Sequence, residues 1–149
     1  MQKGVDYIGV GVGAVIINPE GQFFLAKRGP KARNESGKWD FPGGGVDFGE
    51  RVEEALIREI KEEFDFDIEI IELLDVCNHI LEDEKQHWVS PTFLCKVKGG
   101  EPKICEPEKC AEIGWFGLSE VEEKELTMPT QNDLGIIKDK YSNGLPNFY

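Results

Sequence analysis

The chain has 149 residues and a formal net charge of −12, with 40% apolar and 31% charged residues. That length supports one hydrophobic core, so a single domain over residues 1–149 is expected. The acidic balance argues against binding polymeric nucleic acid. No apolar run reaches the roughly 18–20 residues that cross a bilayer, and Met1–Asp6 has no secretory segment, so the expected setting is cytoplasmic, without a membrane.

In chain order, Val10–Ile17 predicts a buried strand in which small residues permit close approach, and Asn18–Gly21 a turn. Gln22–Arg28 returns as a second strand. Gly29–Lys38 is a polar loop, and Trp39–Gly45 is too rich in glycine for a regular element. Val52, Ala55, Leu56, Ile60 and Phe64 recur at helical spacing and predict a helix over Arg51–Phe64. Asp65–Leu81, Gln86–Val97 and Ile113–Phe116 predict strands. Ser119 is a candidate N-cap for a short helix over Glu120–Glu125, Thr130–Tyr141 predicts a longer helix, and Ser142–Tyr149 a turn-like tail. This order of elements indicates a mixed α/β layer fold.

The cysteines, Cys77, Cys95, Cys105 and Cys110, show no C-x-x-C spacing and are expected to be reduced and structural. A zinc site joining Cys77 and His79 to Cys105 and Cys110 would lack the tight ligand pairs of closed zinc centres.

The chemistry concentrates after Gly43. At 100° per residue, Glu59, Glu62 and Glu63 fall within an arc of about 100° on the predicted helix. Like charges so placed repel unless a divalent cation bridges them. Alone, such a cluster is equally a solvated helix face, and the opposite charges Glu54–Arg58 and Arg58–Glu62 also suit one. Its surroundings argue otherwise: Gly43, Gly44 and Gly45 lie just upstream, Glu50 sits near the helix start, and Arg58 precedes the first of the three glutamates.

The stretch resembles the Nudix box, G-x5-E-x7-R-E-U-x-E-E-x-G-U, where U is a bulky apolar residue. Gly44, Glu50, Arg58, Glu59, Ile60, Glu62, Glu63 and Phe66 match in register. A chance match of that quality is on the order of 10⁻⁵, which decides for the resemblance. Asp65 stands where the family has a glycine that ends the helix in a left-handed conformation; Asp tolerates that conformation better than most residues, so a modest stability cost is expected. Gly9–Arg28, Lys38–Gly45 and Glu106–Phe116 are similar to Nudix proteins as well.

The resemblance implies an α/β/α sandwich with a mixed sheet, and a Mg²⁺- or Mn²⁺-dependent hydrolase acting on nucleoside diphosphate derivatives. Glu59, Glu62 and Glu63 would ligate the metal, with the carbonyl of Gly44 or Gly43 as a further ligand. Glu59 or Glu62 would activate water, and Arg58 would orient Glu50 or a neighbouring glutamate. Lys27, Arg28 and Glu108 are candidates for substrate contacts, with exposed charge as the alternative, and Glu106 or Glu108 could add a metal or base role from a loop. His79 and His87 are read as core or edge-strand positions; Trp88, Trp115 and Phe116 as core aromatics rather than base-stacking platforms; Phe41 as a packing anchor beside Pro42.

The later segments look closest to members that convert a nucleoside triphosphate, oxidised purine nucleotides included, to monophosphate and pyrophosphate. ADP-ribose or nucleotide-sugar cleavage is the alternative within the chemistry. Ile80–Glu84 lacks the proline such members often carry there, and also the tyrosine of many dinucleoside polyphosphate members. A non-catalytic nucleotide-sensing module usually loses box glutamates, all kept here, and a plain acidic metal-binding protein leaves Gly44, Glu50 and Arg58 unexplained. The resemblance suggests a homodimer, with a monomer left open.

Overall fold

Alternation along the first two strands divides the core between two faces of one sheet. In the computed structural model, which describes residues 1–149, β1 (Gly9–Ile17) turns Val12, Ala14 and Ile16 to one side and Val15 and Ile17 to the other. In β2 (Phe23–Arg28), Phe24 and Ala26 oppose Phe23 and Leu25 in the same way. Helix α1 (Val52–Phe64) closes the first face with Ala55, Leu56, Ile60 and Phe64, all buried. Helices α2 (Leu118–Glu122) and α3 (Met128–Lys140) close the second through Val121, Leu134 and Ile137. Each fully buried Leu, Ile or Phe contributes about 1.5–3 kcal/mol, which commits α1 to the sheet. The result is the expected α/β/α sandwich.

The sheet is mixed. β1 runs parallel to β6 (Gln86–Gly99), which forms a long antiparallel hairpin with the edge strand β5 (Asp67–Leu81). On its other side β1 meets β2 only at Ile17↔Phe23, and the two then part. The opening is filled by one segment: β3 (Trp39–Asp40) pairs with β2, and β4 (Gly43–Gly45) pairs with β1. β7 (Cys110–Phe116) pairs with β2 as well.

The run Trp39–Gly45, expected to be irregular, thus supplies two short strands. Here glycine serves close approach rather than disorder, since a Cβ on Gly43 would lie 2.0 Å from the Val12 carbonyl oxygen. β7 begins at Cys110 instead of Ile113, because pairing with β2 extends it through residues without strand-like hydropathy. The short helix begins at Leu118, so Ser119 is inside it and is not the N-cap. The cap is Gly117, whose N–H donates to Glu120 Oε1 at 3.1 Å. α3 starts two residues early, at Met128, with Pro129 in its first turn.

Helix α1 ends as the sequence suggested. Asp65 adopts φ 53°, ψ 43°, and its N–H donates to the Lys61 carbonyl. Two of the carbonyls left free at the helix end accept from loop amides, Lys103 N–H to Phe64 (2.9 Å) and Cys105 N–H to Glu63 (3.0 Å). This docking brings the following residue, Glu106, to the side of α1 that carries Glu59 and Glu63. All four cysteines are free thiols, three of them buried. No helix is long and apolar enough to cross a membrane.

Candidate active site

Arg58 is the hub on which the box glutamates are hung. Its Nε and Nη2 donate to both oxygens of Glu50 at 2.6 and 2.9 Å, a bidentate fork. Nη1 donates to Glu59 Oε1 at 2.9 Å and Glu62 Oε2 at 3.2 Å, and Nη2 also reaches the Gly45 carbonyl at 3.1 Å. One guanidinium therefore ties α1 to β4 and touches Glu50, Glu59 and Glu62. The fork holds the Glu50 carboxyl down at about 2, with the Asp47 amide adding to the effect.

Gly44 lets Glu59 close on the strand. A methyl group there would fall 2.2 Å from the Glu59 carboxyl carbon, so any side chain would displace it. Glu63, one turn further on, is half-buried; burial, then the charge of Glu59, pushes its carboxyl up to about 8, and Glu106 adds to the shift. Glu106 Oε2 is buried without a hydrogen-bond partner, and Lys109 Nζ stands off at 3.6 Å. Glu62 is more exposed, its side chain 56% accessible.

No three acidic, histidine or cysteine side chains converge as a finished metal cage. Arg58 holds Glu59 and Glu62, while Glu59, Glu63 and Glu106 face the same cleft. A carboxyl raised to about 8 beside an unpartnered carboxylate oxygen is what a hard divalent cation would relieve, and all the donors are oxygens. The residues fit such an ion.

The cleft between α1 and the split in the sheet encloses about 290 Å³, and Lys27, Arg28, Glu59, Glu63 and Glu106 reach it. Lys27 and Arg28 both line the cleft, although Arg28 is engaged with Asp40 Oδ2 (3.1 Å) and the Asn34 carbonyl (2.7 Å). Glu108 is a correction: its side chain is 71% exposed, pairs with Lys31 and does not line the cleft. Pro107 lies between Glu106 and Glu108, and docking of the loop on α1 turns Glu106 inward.

A second cavity of about 80 Å³ shares Arg28, Asp40, Gly43 and Gly44 with the first and ends on His79, Thr92, Thr130 and Asp133. Asp133 was not anticipated. Thr130, Asp133, Leu134 and Ile137 repeat at helical spacing on the buried face of α3, so a carboxylate in that stripe was the available signal. Glu35 and Asn34, buried within a loop read as merely polar, carried no such signal. His79 donates to or accepts from Glu35 at 3.0 Å, in keeping with its reading as a structural residue.

Burial drives the Asp133 carboxyl up to about 7, against hydrogen bonds from Asn132 and Thr92 that lower it. Between the ordinary carboxylate range and 7, the folded state therefore holds a proton that the unfolded state has lost, and stability falls as pH rises through that window. Asp133→Asn removes this dependence. Its melting temperature should exceed that of the parent by several degrees at pH 8, and the gain should vanish at pH 4; a pH series of thermal melts checks this.

A family model described as NUDIX domain matches residues 8–134. The fold is similar to a MutT NUDIX hydrolase from Burkholderia pseudomallei, with a TM-score of 0.81 and 39% identity, over 89% of this chain and 99% of that one. An ADP-ribose pyrophosphatase from Methanocaldococcus jannaschii is 39% identical over 98 residues, 66% of this chain and 57% of its own length. An 8-oxo-dGTP diphosphatase from Proteus vulgaris is 36% identical over 100 residues, 67% of this chain and 85% of its own. The chain spans 27% to 57% of the length of several other curated relatives and the M. jannaschii protein.

Proposed function

The chain belongs to the Nudix family, and we propose that it hydrolyses a phosphoanhydride bond in a nucleoside diphosphate derivative, most favourably a nucleoside triphosphate to monophosphate and pyrophosphate. The observation that carries this reading is the Arg58 hub, which sets Glu50, Glu59 and Glu62 around the Gly44–Gly45 strand at the mouth of a cleft. A solvated helix face has no need of a bidentate arginine reaching back to a glycine strand. A single domain is part of this reading, supported by the two core clusters packing on opposite faces of one sheet.

In this reading the phosphates lie in the larger cleft beside Lys27 and Arg28. Glu59, Glu62, Glu63 and the Gly44 carbonyl would hold Mg²⁺ or Mn²⁺, with Glu106 as a further oxygen ligand. Such an ion supplies neutralisation of phosphoryl charge and acidification of a nearby water. Glu59 lines the cleft and Glu62 does not, so Glu59 is the better placed of the two to take the proton of the attacking water. Arg58 keeps that carboxylate aimed. As the water oxygen bonds to phosphorus, the bridging P–O bond breaks and pyrophosphate leaves.

Cleavage of ADP-ribose is the second reading, supported by likeness to the M. jannaschii protein at the same identity as the B. pseudomallei structure. The test is incubation with Mg²⁺ and normal and oxidised nucleoside triphosphates, ADP-ribose, a nucleotide sugar and a dinucleoside polyphosphate, with products separated by chromatography. A triphosphate yielding monophosphate and pyrophosphate is expected to be turned over fastest. Preference for ADP-ribose would establish the second reading, and no product from any compound would discard both.

A further inference from the structure

The cations of the cleft are not equally engaged. Arg28 is bonded to Asp40, and Lys109 pairs with Glu106 at 3.6 Å. Arg33 has no carboxylate within salt-bridge range and no side-chain hydrogen bond, yet it lines both cavities. Crowding by protein atoms, and then the charge of Arg28, lower its pKa against the more distant attraction of Glu59, Glu63 and Asp40, although solvent reaches the side chain. The guanidinium therefore has carboxylates in its surroundings but none in direct contact.

Its backbone and the ring it stacks on are both held by distant segments. The backbone carbonyl of Arg33 accepts from Gln86 Nε2 at 2.9 Å, and the next side chain, Asn34, donates to Gln86 Oε1 at 3.1 Å. Glu35 is 8% exposed and sits at φ 44°, accepting from the Met128 amide at the start of α3 and bonding to His79. This left-handed glutamate, a conformation that costs a non-glycine residue energy, is stabilised by those buried contacts. The Arg33 guanidinium itself lies 3.9 Å over the Trp88 ring, and Trp88 is fixed by Nε1–H donation to Gln86. Gly4 and Gly9 press on the same indole, where any Cβ would clash. The guanidinium then reaches over β4, with Nη1 3.6 Å from where a Cβ on Gly45 would stand.

We propose that Arg33 grips a non-bridging oxygen of the substrate's phosphate chain where the two cavities meet. This rests on the reading of the cleft given above. A fork preset on an indole loses little freedom on binding, and five donors with no protein acceptor suit a phosphate. Lys27, the other cation of the cleft without an ion pair, offers only a point charge on a flexible stem.

The test separates this role from turnover. Inorganic pyrophosphate with Mg²⁺ is titrated into the folded protein and followed by calorimetry and by tryptophan fluorescence, which Trp88 should report. Arg33→Ala is expected to weaken binding at least tenfold, and Arg33→Lys by less. For any triphosphate that is hydrolysed, KM should rise at least tenfold in the alanine variant while kcat changes less than threefold, a loss of uniform binding. Arg33→Gln, which keeps a planar group over Trp88 without the charge, should behave as the alanine variant does; should Arg33→Ala fail to fold, it carries the measurement alone. A folded uncharged variant that binds pyrophosphate within twofold of the parent overturns the proposal, as does a parent protein that does not bind it. Arg33-dependent binding in a protein that hydrolyses nothing would uphold the grip while the hydrolytic reading fell.

Discussion

Glu63→Gln is expected to lower kcat at least a thousandfold and leave the fold intact. Glutamine keeps the size and hydrogen-bonding shape of a protonated glutamate, and Glu63, pushed up to about 8, is largely protonated at neutral pH when no cation is present. The variant should therefore melt within a few degrees of the parent in chelator. What it loses is the anionic oxygen that Mg²⁺ requires. Adding Mg²⁺ should raise the melting temperature of the parent and do much less for the variant, because only an ion that binds the folded state stabilises it. Turnover near that of the parent would remove Glu63 from the metal set; lost turnover with an unchanged Mg²⁺ response would give it a different role. The sign is fixed by the raised carboxyl: burial and the charges of Glu59 and Glu106 oppose ionisation, so metal loading should improve as pH rises towards 8.

The second large effect is expected at Arg58. Lysine at this position keeps one positive charge but cannot bind both oxygens of Glu50 while also holding Glu59, Glu62 and the Gly45 carbonyl. Arg58→Lys should lower kcat by about a hundredfold and weaken Mg²⁺ binding by about tenfold, the scale seen when groups that orient metal ligands are lost. It should also lower the melting temperature, because the fork ties α1 to β4 and its side chain is only 28% exposed. Glu50, held near 2 by that fork, contributes stability above the ordinary carboxylate range that is lost as pH falls towards 2. The variant should accordingly show a weaker decline in melting temperature on acidification. Full activity in a folded lysine variant would mean that charge alone suffices and that the fork geometry does not position Glu59.

Both effects trace to side chains that the sequence brought forward, and the reason is local. On a helix, residues three and four apart share a face whatever the rest of the molecule does, so Glu59, Glu62 and Glu63 could be grouped from spacing alone. The same holds for Ala55, Leu56, Ile60 and Phe64. The left-handed end of α1 at Asp65 was legible from the glycine the resembled motif carries there, a conformation Asp tolerates better than most residues. Arg58 was legible as an orienting residue from its place in the motif, although its reach to Gly45 was not.

The sequence by itself determined a mixed α/β order of elements, the box helix and the carboxylate cluster, since each follows from periodicity or from neighbours within one turn, while the α/β/α layering was implied by the family resemblance. Tertiary structure decided the rest. That Glu106 faces the cleft and Glu108 faces solvent depends on loop amides satisfying the last carbonyls of α1. That Trp39–Gly45 forms two strands depends on β1 and β2 parting after Ile17 and Phe23, which leaves two open edges to be paired. Asp133 enters the second cavity because α3 packs across Thr92, 41 positions away in the chain. Arg33 is aimed by Gln86 and Trp88, more than 50 residues distant. These placements are set by hydrogen-bond satisfaction and packing between segments far apart in sequence, and no local preference encodes them.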